Sequence, residues 1–277
     1  MAKIVTLFEA ISETVVDGGV IALEGFTHLI PFAAGHEIIR QNKCDLKLIR
    51  MTPDIIYDQM IGMGCASSIV FSWVGNPGVG SLHRFRDAIE NDWPKRLSIQ
   101  EYSHASMACA YEAGASGLPF GLMRGYQGVD LPKFNHSIKQ VTCPFTGEEL
   151  SAVPAIRPDV SIVHAQKADR EGNVLFTGIV GVQKEIILAA KFSVVTVEEI
   201  VESLDAEANA VIVPGWAIDF VVEASYGAYP SYAFGYYQRD NEFYVRWDKI
   251  SRDRKMFLDW MKENVINNKG YNDKLVL

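Results

Sequence analysis

The sequence contains no apolar run approaching the length of a membrane span, and its opening residues, Met1-Ala2-Lys3-Ile4, lack a signal-peptide pattern. No membrane association is therefore expected. Cysteine is sparse: Cys44, Cys65, Cys109 and Cys143 are scattered without C-x-x-C spacing and read as reduced thiols of a cytoplasmic protein. The 6 histidines are dispersed too, with no H-E-x-x-H and no Cys/His cluster, so no metal site is expected. Basic residues are in deficit, and the net charge of -8 argues against nucleic acid, whose phosphates need a basic face. With no internal repeat and no low-complexity linker, one domain over 1–277 is the expectation.

What the chain does have is alternation. At 48% apolar and 22% charged, its 277 residues can bury a sizeable core. Leu7, Phe8, Ile11, Val15 and Val16 fall at helical spacing. The turn Asp17-Gly18-Gly19 then feeds Val20-Ile21-Ala22-Leu23, a short β-rich run with no polar residue before Glu24, as in a strand buried on both faces. Pro31 opens a helix through Ile38 and Ile39. Strands follow at 46–51, 68–73, 97–99, 160–165, 192–197 and 211–213. Helices are expected at 54–62, 104–113, 182–190 and around Met256 to Val265, and one from Leu82 with Arg84, Arg86 and Glu90 on its wet side. This order predicts an α/β fold: an open, mainly parallel sheet with helices on both faces. Residues 125–158 break the pattern and read as loops with short hairpins, an insertion over one edge, and Tyr226 to Tyr237 reads as a packed surface loop.

Ligands of open α/β sheets bind outside the carboxyl ends of the strands, which points first to Glu24 through His28. Gly75-Asn76-Pro77-Gly78-Val79-Gly80 follows another strand and offers backbone N–H groups to an anion, but it is not G-x-G-x-x-G. In Glu101-Tyr102-Ser103-His104 a histidine opens a helix, where a neutral imidazole can donate to an oxyanion or accept a proton, with Glu101 placed to orient the ring. His164, inside an apolar strand, reads as a core histidine. Asp169 and Asn173 read as satisfying the amides of a tight turn.

Several motifs in order, Asp17-Gly18 through Gly25-Phe26 with Pro31, Arg84-Phe85-Arg86, Gly117-Leu118-Pro119-Phe120, His164 through Asn173, Ala189-Ala190-Lys191 and Pro214-Gly215, give the chain a family likeness. It resembles the α subunit of the two-subunit family I CoA-transferases, in texture that of glutaconate CoA-transferase, with the 3-oxoacid and 3-oxoadipate enzymes as relatives. The resemblance implies a CoA-transferase fold and a β subunit of similar fold in an α2β2 assembly. It also implies acyl-CoA and carboxylate substrates, with the CoA thioester as substrate and no permanently bound cofactor. The thioester-forming glutamate of the family belongs to the β subunit, in a Ser/Gly-Glu-Asn-Gly setting that this chain lacks. Counting back from Pro119 puts His104 where the family has an oxyanion-hole glutamine.

Glu24 stands at the first glycine of the family's Gly-Gly-Phe, and Pro77 where the glutaconate enzyme has a substrate-contacting serine. A charge on Glu24 near the acyl end would disfavour a dicarboxylate identical to glutaconate. A related branch, the ring-opening hydrolases of bacterial steroid catabolism, has a glutamate base at the oxyanion position. The leading expectation is thus a CoA-transferase α subunit, with His104, Glu101 and Glu24 as catalytic candidates and Gly25, Phe26, Thr27, Asn76, Pro77 and Gly78 at the substrate. The alternatives are a CoA-thioester-dependent C–C bond hydrolase with His104 as base, and a non-catalytic stabilising subunit.

Overall fold

The computed structural model describes residues 2–205 and 208–268; Met1 of the opening stretch and both ends of the expected 1–277 domain lie outside them. In chain order the strands are β1 (Lys3–Ile4), β2 (Val20–Glu24), β3 (Leu46–Ile49), β4 (Ala66–Phe71), β5 (Ser98–Glu101), β6 (Phe120–Met123), β7 (Lys139–Thr142), β8 (Glu149–Pro154), β9 (Val160–Asp169), β10 (Val174–Phe176), β11 (Phe192–Val201), β12 (Val211–Val213) and β13 (Phe220–Glu223). The helices are α1 (Leu7–Thr14), α2 (Phe32–Arg40), α3 (Ile55–Gly62), α4 (His83–Glu90), α5 (His104–Ala115), α6 (Leu131–Phe134), α7 (Gln183–Ala189), α8 (Asn241–Arg252) and α9 (Arg254–Met261).

The main sheet runs β1-β13-β11-β9-β2-β3-β4-β5. Every pair along that path is parallel. Only β10, paired with β9 and β12, adds antiparallel contacts. β2 lies in the middle, Ile21 to Glu24 paired with β9 and Val20 to Ala22 with β3; Ile21 and Leu23 pack into one core and Ala22 into the other, which is why its apolar run has no wet side. One core joins the sheet to α1–α4, α8 and α9 through Ile11, Ile38, Tyr57, Phe85, Trp247 and Phe257. A second, on the opposite face, joins it to α5 and α7 through Met107, Tyr111, Ile186 and Ile187. The open, mainly parallel sheet with helices on both faces is the architecture the alternation predicts.

Elements without a sequence expectation include β1, β6, β13 and α8. The last is amphipathic, with Phe243, Tyr244 and Trp247 buried and Asp240 accepting from the Phe243 amide as its N-cap. α8 and α9 overturn the placement of Arg84 on a wet helix face. Arg84 is buried, with Nη1 donating to Asp87 at 2.9 Å and Nη2 to the Arg252 carbonyl at 3.1 Å. The irregular stretch is more ordered than loops with hairpins: β6, β8 and β7 form a three-stranded antiparallel sheet that begins at Phe120.

Candidate functional site

The central strand β2 ends at a carboxylate, and the chain then makes a tight loop over the carboxyl edge of the sheet. Gly25 has no room for a side chain, because a Cβ there would sit 2.5 Å from the Leu29 carbonyl oxygen. Thr27 and Leu29 hold φ values of 59° and 54°, a left-handed backbone that is unusual outside glycine. Such strain persists only where neighbours over-determine it. Here the Ser231 hydroxyl donates to the Thr27 carbonyl at 3.0 Å, and the Leu29 amide donates to the Tyr232 carbonyl at 2.9 Å. The buried His28 ring accepts at Nε2 from the Phe234 amide (2.8 Å), which leaves Nδ1–H to donate to the Ile179 carbonyl (3.2 Å). Burial pushes the His28 imidazole below its ordinary pKa, in keeping with that neutral tautomer.

This loop meets two others. Phe26 lies against Gly181, and His28 and Phe234 both lie against Gly178. Phe26, Ile179 and Phe234 remain exposed and give the crest an apolar rim. Beside Phe234 opens a cavity of about 370 Å³ whose walls include Gln166, Lys167, Thr177 and Glu199.

Beneath the loop lies a buried polar network. Glu24 is 2% exposed, and its Oε1 accepts from the Met51 amide at 2.8 Å and from the Tyr111 hydroxyl at 2.5 Å. Burial pushes the Glu24 carboxyl above the usual range, with Arg50 and the two hydrogen bonds opposing it. Arg50 donates to the Gly25 carbonyl and to Asp54, each at 2.8 Å. Burial works against the Arg50 charge, but Asp54 and Glu24 outweigh it and keep the guanidinium protonated. Tyr57 closes the network, donating to the Ile49 carbonyl at 2.7 Å and accepting from the Leu23 amide at 3.1 Å. Glu24 therefore anchors the loop from below, and its buried, hydrogen-bonded carboxyl presents no open charge on the loop's outer side. The charge argument against a dicarboxylate falls with it.

His104 is the first residue of α5 and is exposed; among the described residues no hydrogen bond engages its ring. The turn that presents it is held firmly. Ser103 caps the helix by accepting from the Ser106 amide at 3.2 Å, and the Tyr126 hydroxyl accepts from the Ser103 amide at 2.7 Å and contacts the Ser106 hydroxyl. Tyr126 reaches them from a left-handed backbone, φ 65°, within the irregular stretch. Glu101 does not orient His104. Its side chain is exposed, and it lines a separate cleft of about 460 Å³ at the β5 edge together with Asn135 and Ser137.

The Gly75–Gly80 loop closes on itself rather than offering its amides. The Asn76 amide donates to the Gly80 carbonyl, and the Val79 and Gly80 amides donate to the Asn76 carbonyl. The Asn76 side chain is buried and donates to the Tyr244 carbonyl at 2.8 Å, while Gly78 is exposed and Pro77 accepts from Arg239 through its carbonyl at 2.6 Å. His164 is fully buried between Thr196 (2.8 Å) and Glu198 (2.7 Å). Asp169 accepts from the Glu171 and Asn173 amides at 3.0 and 2.9 Å.

Arg50, Tyr111 and Tyr126 escaped the sequence reading, and His28 entered it only as the end of the Glu24–His28 stretch, without a role of its own. Arg50 alone left a trace, a charge closing an apolar strand; the others acquire their roles through partners at least twenty residues away. No group of histidine, cysteine and acidic side chains among the described residues could hold a metal ion. No helix among them is long and apolar enough to cross a membrane.

Three proteins show what this arrangement is similar to. The A subunit of 3-oxoadipate CoA-transferase from Pseudomonas knackmussii is 59% identical over 99% of this chain and 97% of its own length. The crystal structure of glutaconate coenzyme A-transferase from Acidaminococcus fermentans superposes with a TM-score of 0.89 at 33% identity, covering 98% of this chain and 91% of that one. A cholesterol ring-cleaving hydrolase subunit of Rhodococcus jostii is 30% identical, over only 53% of each chain. The Coenzyme A transferase family model matches residues 4–224, and the chain belongs to that family.

Proposed function

We propose that this chain is the α subunit of a heteromeric CoA-transferase, working with a β subunit that supplies the thioester-forming glutamate, and that 3-oxoadipate is its carboxylate substrate. The observation that carries the proposal is the 59% identity to the A subunit of 3-oxoadipate CoA-transferase across nearly the whole of both chains. The missing Ser/Gly-Glu-Asn-Gly motif supports a nucleophile contributed by the partner.

In this reading the acyl group lies over the crest formed by Gly25, Phe26 and Thr27. Attack of the partner's carboxylate on the thioester carbonyl moves charge onto its oxygen, and preorganised donors stabilise that charge. His104 supplies one from its unengaged ring, at the positive end of a 12-residue helix. Glu24, Arg50 and Tyr111 hold the crest in place without touching substrate. The cavity beside Phe234 gives the acyl chain room to extend.

The same unengaged His104 ring also favours a second reading, a CoA-thioester hydrolase with His104 as base, in line with the partial likeness to the ring-cleaving hydrolase. One experiment separates the two. The chain is reconstituted with its β subunit, incubated with acyl-CoAs including the CoA ester of 3-oxoadipate, reduced with borohydride and analysed by mass spectrometry. A reduced glutamyl thioester on the β subunit is the result expected of a transferase. Turnover with water as sole co-substrate and no adduct would overturn that reading in favour of hydrolysis.

A further inference from the structure

A cavity of about 200 Å³ lies on the helix face opposite α5, between His36 and Gln59 of α2 and α3 on one side and Phe243, Arg246 and Trp260 of α8 and α9 on the other. At about 30 Å³ per water it holds roughly six waters. That is below the size of an ordinary drug pocket, so its ligand must be compact.

Its chemistry is one-sided. Phe243 and Trp260, ring centroids 5.6 Å apart, give it aromatic walls, and Ile250 and Pro230 complete the apolar lining. Gln59 is 1% exposed, its Oε1 lies 2.7 Å from His36 Nε2, and its Nε2 is buried without a hydrogen-bond partner among the described residues. Burial pushes the His36 imidazole down to about 3, so its Nε2–H donates to Gln59 and leaves the amide N–H groups to seek an acceptor. A buried donor left unmatched is destabilising, and a ligand acceptor would recover that loss.

Arg246 adds a cation. It sits over the Phe243 ring at 5.8 Å and is 3.9 Å from Asp240, whose carboxylate is already engaged by the Tyr229 hydroxyl. Among the described residues no aspartate or glutamate lines the cavity. Asn264, also in the wall, belongs to a π-helical turn, Lys262–Ile266, a local irregularity that occurs often at binding sites.

We infer that this cavity is a binding site for a small monocarboxylate with a compact apolar body, its carboxylate taking the Gln59 amide and the Arg246 guanidinium and its body lying between Phe243 and Trp260. The site is separate from the acyl crest yet joined to it. Pro230 precedes Ser231, which holds the Thr27 carbonyl, and α2 leaves directly from the Gly25–Leu29 loop. A ligand here therefore braces both segments that fix the crest.

The test is calorimetric titration of the 277-residue chain with isobutyrate and benzoate, and with isobutanol and benzyl alcohol as uncharged counterparts. Saturable binding of at least one carboxylate is expected, with its alcohol at least about tenfold weaker, as loss of a charge-assisted hydrogen bond implies. Arg246→Gln, a half-exposed position, should weaken that binding about tenfold, and Gln59→Leu should abolish it. Absence of saturable heat, equal affinity for acid and alcohol, or affinity unchanged in Arg246→Gln would each overturn the assignment. Should Gln59→Leu fail to fold, Arg246→Gln decides alone.

Discussion

The hydroxyl of Tyr111, two turns into α5, donates to the Glu24 carboxylate that ends the central strand, 87 residues away in sequence. The bond ties the helix that presents His104 to the loop that presents Gly25 and Phe26. Tyr111→Phe removes one of the hydrogen bonds to a fully buried carboxylate, and the expected cost is about 1–3 kcal/mol by urea unfolding. Paired with Glu24→Gln in a double-mutant cycle, it should show a coupling of about 1 kcal/mol. Strictly additive effects would mean that the contact contributes nothing of its own.

Arg50 is 1% exposed and spans the Gly25 carbonyl and the Asp54 carboxylate. Arg50→Met leaves Asp54 buried without its counter-ion, a change that costs about 3–5 kcal/mol. The double variant Arg50→Met with Asp54→Leu removes both charges and should recover much of that loss. Activity should not return with it, since the Gly25 carbonyl still lacks its donor. Thermal melting and turnover of the reconstituted complex, measured side by side, separate the two effects.

Gly25→Ala tests the loop directly. Its Cβ would meet the Leu29 carbonyl oxygen at 2.5 Å, so the left-handed turn must open. A loss of about 1–3 kcal/mol in stability and most of the activity is expected. Gly80→Ala is the matched control, because a Cβ there meets nothing within 4 Å. If the two behaved alike, close approach would not be the reason for glycine at 25.

The parallel sheet was legible because burial on both faces leaves a local mark, an apolar run such as Val20 to Leu23 ending at a polar residue and a glycine. α8 was less legible. Its aromatic face follows directly on a stretch rich in Gly, Tyr and Pro, and only the assembled core shows which side is covered. Glu24 shows the limit most clearly. Its position at the strand end was evident, but whether its carboxyl faced substrate or protein depended on Tyr111 and Arg50, which no local pattern connects to it. The helix-opening position of His104 was legible for the opposite reason: the residue that opens a helix is set by the helix signal itself.

His104→Ala in the reconstituted complex should lower kcat by about a hundredfold or more with assembly intact, the usual cost of losing an oxyanion donor. His104→Gln restores a side-chain donor at that position and should recover part of the rate if the ring acts as a donor. A base cannot be replaced by an amide, so no recovery with glutamine would favour the hydrolytic role. An unchanged kcat in His104→Ala would reduce this chain to a scaffold for its partner.

The buried His36 sets a pH dependence whose sign is fixed by its environment. Burial lowers its native pKa from 6.5 to about 3, with the Gln59 hydrogen bond opposing and Arg40 assisting. The unfolded chain therefore takes up a proton below about pH 6.5 that the native state refuses, and stability falls with pH down to the native value. The slope is about 1.4 kcal/mol per pH unit once the unfolded histidine is fully charged. Asp58 acts in the opposite sense: burial raises its carboxyl from 3.8 to about 6, so its contribution is fully present below 3.8 and is lost as pH rises toward 6. Comparing wild type with His36→Gln cancels the Asp58 contribution, because both proteins carry it. Urea midpoints at about pH 6 and pH 4 should then show wild type losing about 2–3 kcal/mol more than the variant. Parallel curves would mean that His36 is protonated in the native state, and with it that the Gln59 amide is held by a cation rather than a neutral ring.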